Sequence, residues 1–92
     1  MSNIKGFLDE NGKVCAWPAK MAKKLLVLQY VSEKFELNRT YAELEVNAII
    51  NQWQTIGDLF LFRRGMVDAG LLERTRTGSE YRRLPPKEMP SS

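Results

Sequence analysis

Arg74, Arg76, Arg82 and Arg83 crowd around Tyr81 near the end of the chain, and Arg64 precedes them. Guanidinium groups stay charged at every physiological pH and match phosphate oxygens in a fixed fork. Clustered beside an aromatic ring they are suited to holding a nucleic-acid backbone or entering a minor groove. The same arginines also suit a solvated hairpin in which Glu73 and Glu80 pair with them across strands, and the residues alone leave both roles open. Other chemistry is poorly served. With 0 His in 92 residues the commonest general base is missing, and no Ser or Cys lies in a recognisable nucleophile motif. Glu43 and Glu45, two apart on a helix, do not face each other as a catalytic pair does. The glycines are scattered singly rather than gathered in a phosphate-cradling loop. Cys15 is the only cysteine, so neither a disulfide within the chain nor a Cys/His zinc site can be assembled. Beside Ala16 and Trp17 it reads as a small hydrophobe. These residues point to a chain that is no enzyme and needs no metal or cofactor.

The elements that position the arginines follow from periodicity and punctuation. Asn11-Gly12 is a hairpin turn signal, which predicts a short amino-terminal hairpin of Lys5 to Leu8 and Lys13 to Ala16. Pro18 suits a helix entry. Met21, Leu25, Leu28 and Phe35 recur at helical spacing and predict a first helix from about Ala19 to Lys34. Its lysines, Lys20, Lys23, Lys24 and Lys34, then fall on a solvated face or serve phosphates. Arg39-Thr40-Tyr41 can supply a short strand. A second helix is expected from about Ala42 to Trp53, with Leu44, Val46, Ile49, Ile50 and Trp53 as its apolar face. Thr40 with Glu43 fits a capping box, whereas a later start leaves Ala42 as a cap without an acceptor. After a turn at Gln54-Thr55, a third helix from about Ile56 to Ala69 is closed by Gly70 as a left-handed terminator. Strands at Leu72 to Arg76 and Glu80 to Leu84, turning at Thr77-Gly78-Ser79, complete a wing. Leu72, Arg74 and Arg76 share one face of the first of these strands.

The expected fold is therefore α+β, a winged helix-turn-helix of three helices with a carboxy-terminal two-stranded wing and a short amino-terminal hairpin. Residues 1–84 form one domain in this reading, and 85–92, rich in Pro and Ser, a disordered tail. The formal net charge of +3 sets 14 Lys and Arg against 11 acids, too even a balance to argue for nucleic acid by bulk charge. Apolar runs such as Leu25 to Leu28 are far short of the roughly 20 residues that cross a bilayer. No signal-peptide core is visible at the amino terminus. A cytoplasmic protein without membrane contact is expected.

Helix three carries the decisive pattern. If Leu59, Phe62 and Met66 are its buried stripe, Phe60, Leu61 and Arg64 fall toward the other side. Base edges are read by hydrogen bonds, and Phe60 and Leu61 offer none. This pair instead suits a protein contact, with a second copy, a regulator protein or the amino-terminal hairpin, unless both belong to a wide core stripe. Asp58 and Asp68 oppose phosphates, and Gly57 and Gly65 weaken a helix by roughly 1 kcal/mol each. Arg63, close to the buried stripe, is expected to be structural, paired with Glu45 or Asp68.

Several strings, Gly6-Phe7-Leu8-Asp9, Trp17-Pro18, Lys34-Phe35, Tyr41-Ala42-Glu43-Leu44-Glu45-Val46-Asn47, Arg63-Arg64 and Val67-Asp68-Ala69-Gly70-Leu71-Leu72-Glu73-Arg74, then Gly78 and Tyr81, closely resemble the domain of unknown function 2087 family. The resemblance runs from about Ile4 to Arg83. It implies a bacterial source and a link to transcription, since that domain occurs alone or attached to helix-turn-helix regulators, and it implies no assigned activity. Members of that family typically carry Thr or Ser where this chain has Ala42. They have polar residues, often His, in place of Leu59 to Leu61, and often an acid in place of Gly65. Two functions are consistent with the whole pattern. One is a transcriptional regulator that contacts double-stranded DNA through Arg64, Arg74, Arg76, Tyr81, Arg82 and Arg83. The other is an interaction or dimerisation module with Phe60 and Leu61 in its interface.

Overall fold

The computed structural model describes residues 4–77 and 79–85; the expected tail beyond Pro85 and the turn residue Gly78 lie outside them. Helix α1 (Met21–Ser32) packs on α3 (Leu59–Asp68), and α2 (Glu43–Gln52) and α3 pack on an antiparallel sheet of β1 (Thr40–Ala42), β2 (Leu72–Arg74) and β3 (Glu80–Arg83). The sheet order is β1-β3-β2, so the last strand lies between the other two. Tyr81 is opposite Tyr41 on one side and Arg74 on the other.

The amino-terminal arm departs from the expected hairpin. Its turn forms where Asn11-Gly12 predicts one: the Asp9 carboxylate accepts the Asn11 and Lys13 amides, each at 2.9 Å, and Gly12 takes the left-handed φ of 78°. The first arm, however, is a 3-10 turn at Lys5–Phe7, touching the second only through a single bridge, Leu8 to Val14. Val14 is committed elsewhere. Its amide donates to the Trp53 carbonyl and its carbonyl accepts the Thr55 amide, both at 2.8 Å. The amino terminus therefore braces the connection between α2 and α3. Buried Gln54 completes the brace by donating to Asn51 Oδ1 at 2.9 Å and accepting the Gly57 amide at 2.8 Å.

Helix ends follow local chemistry. Helix α3 starts at Leu59 rather than Ile56, with Asp58 as its cap accepting the Leu61 amide at 3.1 Å. Asp58 is thus a helix-capping acid, and Gly57, at φ 86°, lies outside the helix it was expected to weaken. Gly70 closes α3 at φ 77°. Its amide reaches the Val67 carbonyl and that of Leu71 reaches Met66, the paired bonds of a Schellman stop. Helix α2 begins after Ala42, whose amide donates to Glu45 Oε1 at 2.9 Å. Alanine has no oxygen to return the bond. Ala42→Ser is therefore expected to raise the unfolding free energy by about 1 kcal/mol, measured by urea denaturation, because it completes a reciprocal cap.

The core gathers Val27, Leu28 and Val31 of α1, Phe35, Tyr41, Val46 and Ile50 around α2, Phe62 and Met66 of α3, and Leu72 and Tyr81 of the sheet, closed by Ile4 and Val14. The burial differs from the expected stripes in two helices. In α1 the core takes Val27 and Val31 beside Leu28, while Met21 and Leu25 are exposed. In α2, Leu44 is 80% exposed. Gly65 lets Leu28 come close, because a Cβ there would meet Leu28 Cδ1 and Cδ2 at 3.1 Å. The missing side chain lets α1 and α3 approach with Leu28 seated against the α3 backbone, and Met21 and Leu25, on the same side of α1 two turns and one turn earlier, border the open groove beside that contact.

Candidate nucleic-acid interface

The register of the sheet sorts the arginines. Side chains directly opposite in a ladder share a face and alternate along each strand. Tyr41, Tyr81, Arg74, Leu72 and Arg83 therefore occupy the face toward the helices, and Glu73, Arg82 and Thr40 the outer one. Arg83 on the inner face donates from Nη1 to the Phe35 carbonyl at 2.9 Å. It is a tie between the sheet and the end of α1 and leaves the expected phosphate set. Tyr81 leaves it too, being only 3% exposed, with its ring in the core. Arg82 on the outer face forms the cross-strand pair with Glu73 at 2.8 Å. Its partner is one of the two acids that the sequence offered.

Arg64, Arg74 and Arg76 are exposed. Strand β2 ends at Arg74 rather than Arg76, so Arg76 lies in the turn that follows. Arg74, facing the helices at the edge of the sheet, comes out beside α3. There it lines a groove of about 480 Å³ together with Arg63, Arg64, Phe60, Val67, Tyr81 and Glu43. Arg64 pairs only loosely with Asp68 one turn on, at 3.8 Å, with both side chains largely in water, an arrangement worth little energy.

Arg63 is structural as expected, with other partners. Its side chain is 14% exposed and it meets Glu43 at 3.6 Å. It donates to Asn47 Oδ1 at 2.7 Å and stacks over Phe60 at 4.9 Å. Just past the end of α1, Lys34 also has partners within the fold: its Nζ sits 4.1 Å over the Trp53 ring and 4.5 Å over Tyr30.

Phe60 and Leu61 divide. Phe60 is 66% exposed, whereas Leu61 is half-buried. Both border a second groove, of about 550 Å³, on the α1 side of α3, where Met21 and Leu25 join them. Sequence periodicity missed the α1 wall of this groove, since it assigned Met21 and Leu25 to the core. The single small residue in α3, Gly65, was the available signal. Among the described residues no cluster of three or more His, Cys, Asp or Glu is placed to hold a metal ion, and no helix is long and apolar enough to cross a membrane.

A family model described as "Uncharacterized protein conserved in bacteria (DUF2087)" matches residues 13–83. The match begins after the 3-10 turn, so Gly6-Phe7-Leu8-Asp9 lies outside it. Among curated proteins and solved structures none matches the chain.

Proposed function

We propose that this chain, which belongs to the family of uncharacterized proteins conserved in bacteria (DUF2087), is a winged-helix protein of transcription regulation that grips the backbone of duplex DNA through Arg64, Arg74 and Arg76. The winged-helix reading is supported by the element order: a helix, a strand, two helices joined by a short braced connection, and a returning hairpin whose last strand pairs with the first. One observation carries the binding reading: Arg64 from α3 and Arg74 from β2, remote in sequence, line the same groove. A phosphate following that groove meets guanidinium groups from helix and wing at once.

The chemistry on offer is for backbone, not for base sequence. Hydrogen-bond donors for base edges are sparse on the exposed side of α3, where Phe60 stands beside Arg64. Phosphate contacts position a protein without specifying bases, so weak binding with little sequence preference is expected. Titration of a fluorescent random-sequence duplex with salt tests this. Three phosphate contacts predict that log K falls with log salt at a slope of about −2 to −3. Absence of binding at about 50 mM salt, or binding indifferent to salt, sinks the proposal.

A further inference from the structure

We infer that the apolar groove between α1 and α3 is a docking surface for a second copy of this chain, paired about a twofold axis. Of the large hydrophobic side chains exposed among the described residues, Met21, Leu25 and Phe60 all border this one groove. The other two, Leu37 and Leu44, do not. Concentration of exposed apolar surface in one place marks an interaction site. Its shape offers both halves of a self-complementary contact. Phe60 projects, 66% exposed, beside a hollow whose floor is Leu28 and the bare backbone of Gly65. With about 550 Å³ the hollow has room for more than one large side chain.

The charges choose the occupant. The groove is edged by Lys24 and Arg64 and by Asp58 and Asp68, two of each sign. A twofold contact brings the same patch against itself, with residue i facing j and j facing i. A one-signed rim would repel its own copy, whereas this balanced rim lets the bases of one copy meet the acids of the other. A strongly charged unlike partner gains nothing from such a rim. The area fits a weak dimer. Helices of 12 and 10 residues are about 18 and 15 Å long, so a contact confined to their shared face stays at or below the low end, about 1,200 Å², of specific association. This inference does not rest on the DNA reading. Arg64 stands between the two grooves, so a paired copy competes for it with a phosphate, and the test is made without DNA.

Sedimentation velocity of the full chain from about 10 to 500 µM is expected to show a monomer passing to a dimer, with a midpoint in the tens to hundreds of micromolar. Leu25→Glu, at a position 39% exposed, is expected to raise that midpoint at least about tenfold while circular dichroism and melting temperature stay unchanged, because it sets two buried like charges in the contact. Leu44→Glu, at an 80% exposed site on α2, is expected to leave the midpoint where it is. A chain monomeric throughout, or a dimer that answers both substitutions alike, overturns the inference. Duplex binding by a strict monomer sinks the dimer and leaves the DNA proposal standing; a dimer without DNA affinity does the reverse.

Discussion

Replacing Phe62 by alanine is expected to lower the unfolding free energy by about 3–5 kcal/mol, while the same change at Phe60, two residues away on α3, costs less than about 1 kcal/mol. Phe62 is fully buried and meets the Trp17 ring edge-on at 5.4 Å. Truncation removes a large transfer term and leaves a cavity beside the Trp17 ring. Phe60 is 66% exposed, with the Arg63 guanidinium 4.9 Å from its ring, a cation-π contact worth about 0.5–1 kcal/mol where the ring stays exposed. For a domain this small, total stability is on the order of 5–14 kcal/mol, so the first change removes a large share. Urea denaturation of both variants measures the contrast. Equal losses would mean that Phe60 is a core residue rather than an exposed one.

The second large effect concerns DNA. Arg64→Ala with Arg74→Ala is expected to weaken binding of a random duplex by about 10- to 100-fold at 50 mM salt and to flatten the salt slope by about 1.8, or 0.9 for each phosphate no longer neutralised. Folding should be nearly unaffected by the Arg64 change, whose ion pair with Asp68 is long and exposed. Arg83→Ala is the matched control. It deletes one positive charge from the same hairpin, but its guanidinium is engaged by the Phe35 carbonyl. Its expected effect is a drop of about 1–3 kcal/mol in stability with the salt slope unchanged. A slope that answers to Arg83 and ignores Arg64 and Arg74 would reverse the roles that the register of the sheet gives them.

The sheet register shows why the arginines could not be sorted in advance. Alternation along β2 correctly puts Leu72 and Arg74 on one face, but a strand pattern does not say which neighbour lies beyond that face. Only the pairing of Arg74 with Tyr81, and the packing of α3 beside them, bring Arg74 into a groove with Arg64. Arg83 looks identical to Arg82 in the chain. Its partner carbonyl belongs to Phe35, 48 residues away, whereas the Glu73 partner of Arg82 lies nearby and was legible as a cross-strand pair. Arg63 was legible as structural from its closeness to the buried stripe, but its partners Asn47 and Glu43 were not.

Local chemistry, by itself, determined the order of three helices and a final hairpin, the turn at Asn11-Gly12, the stop at Gly70 and the missing acceptor at Ala42. Each depends on groups within a few residues, where backbone geometry and nearby side chains leave little choice. Tertiary structure alone decided the rotation of the helices about their axes. Helical periodicity gives the angle between two side chains, not the direction in which either points. The absolute direction came from close packing: Leu28 seats against Gly65, Val27 and Val31 lie in the core, and Met21 and Leu25 border an open groove with Phe60. The same packing buried Phe62 and exposed Phe60, two residues of one chemistry that only a neighbouring helix could tell apart.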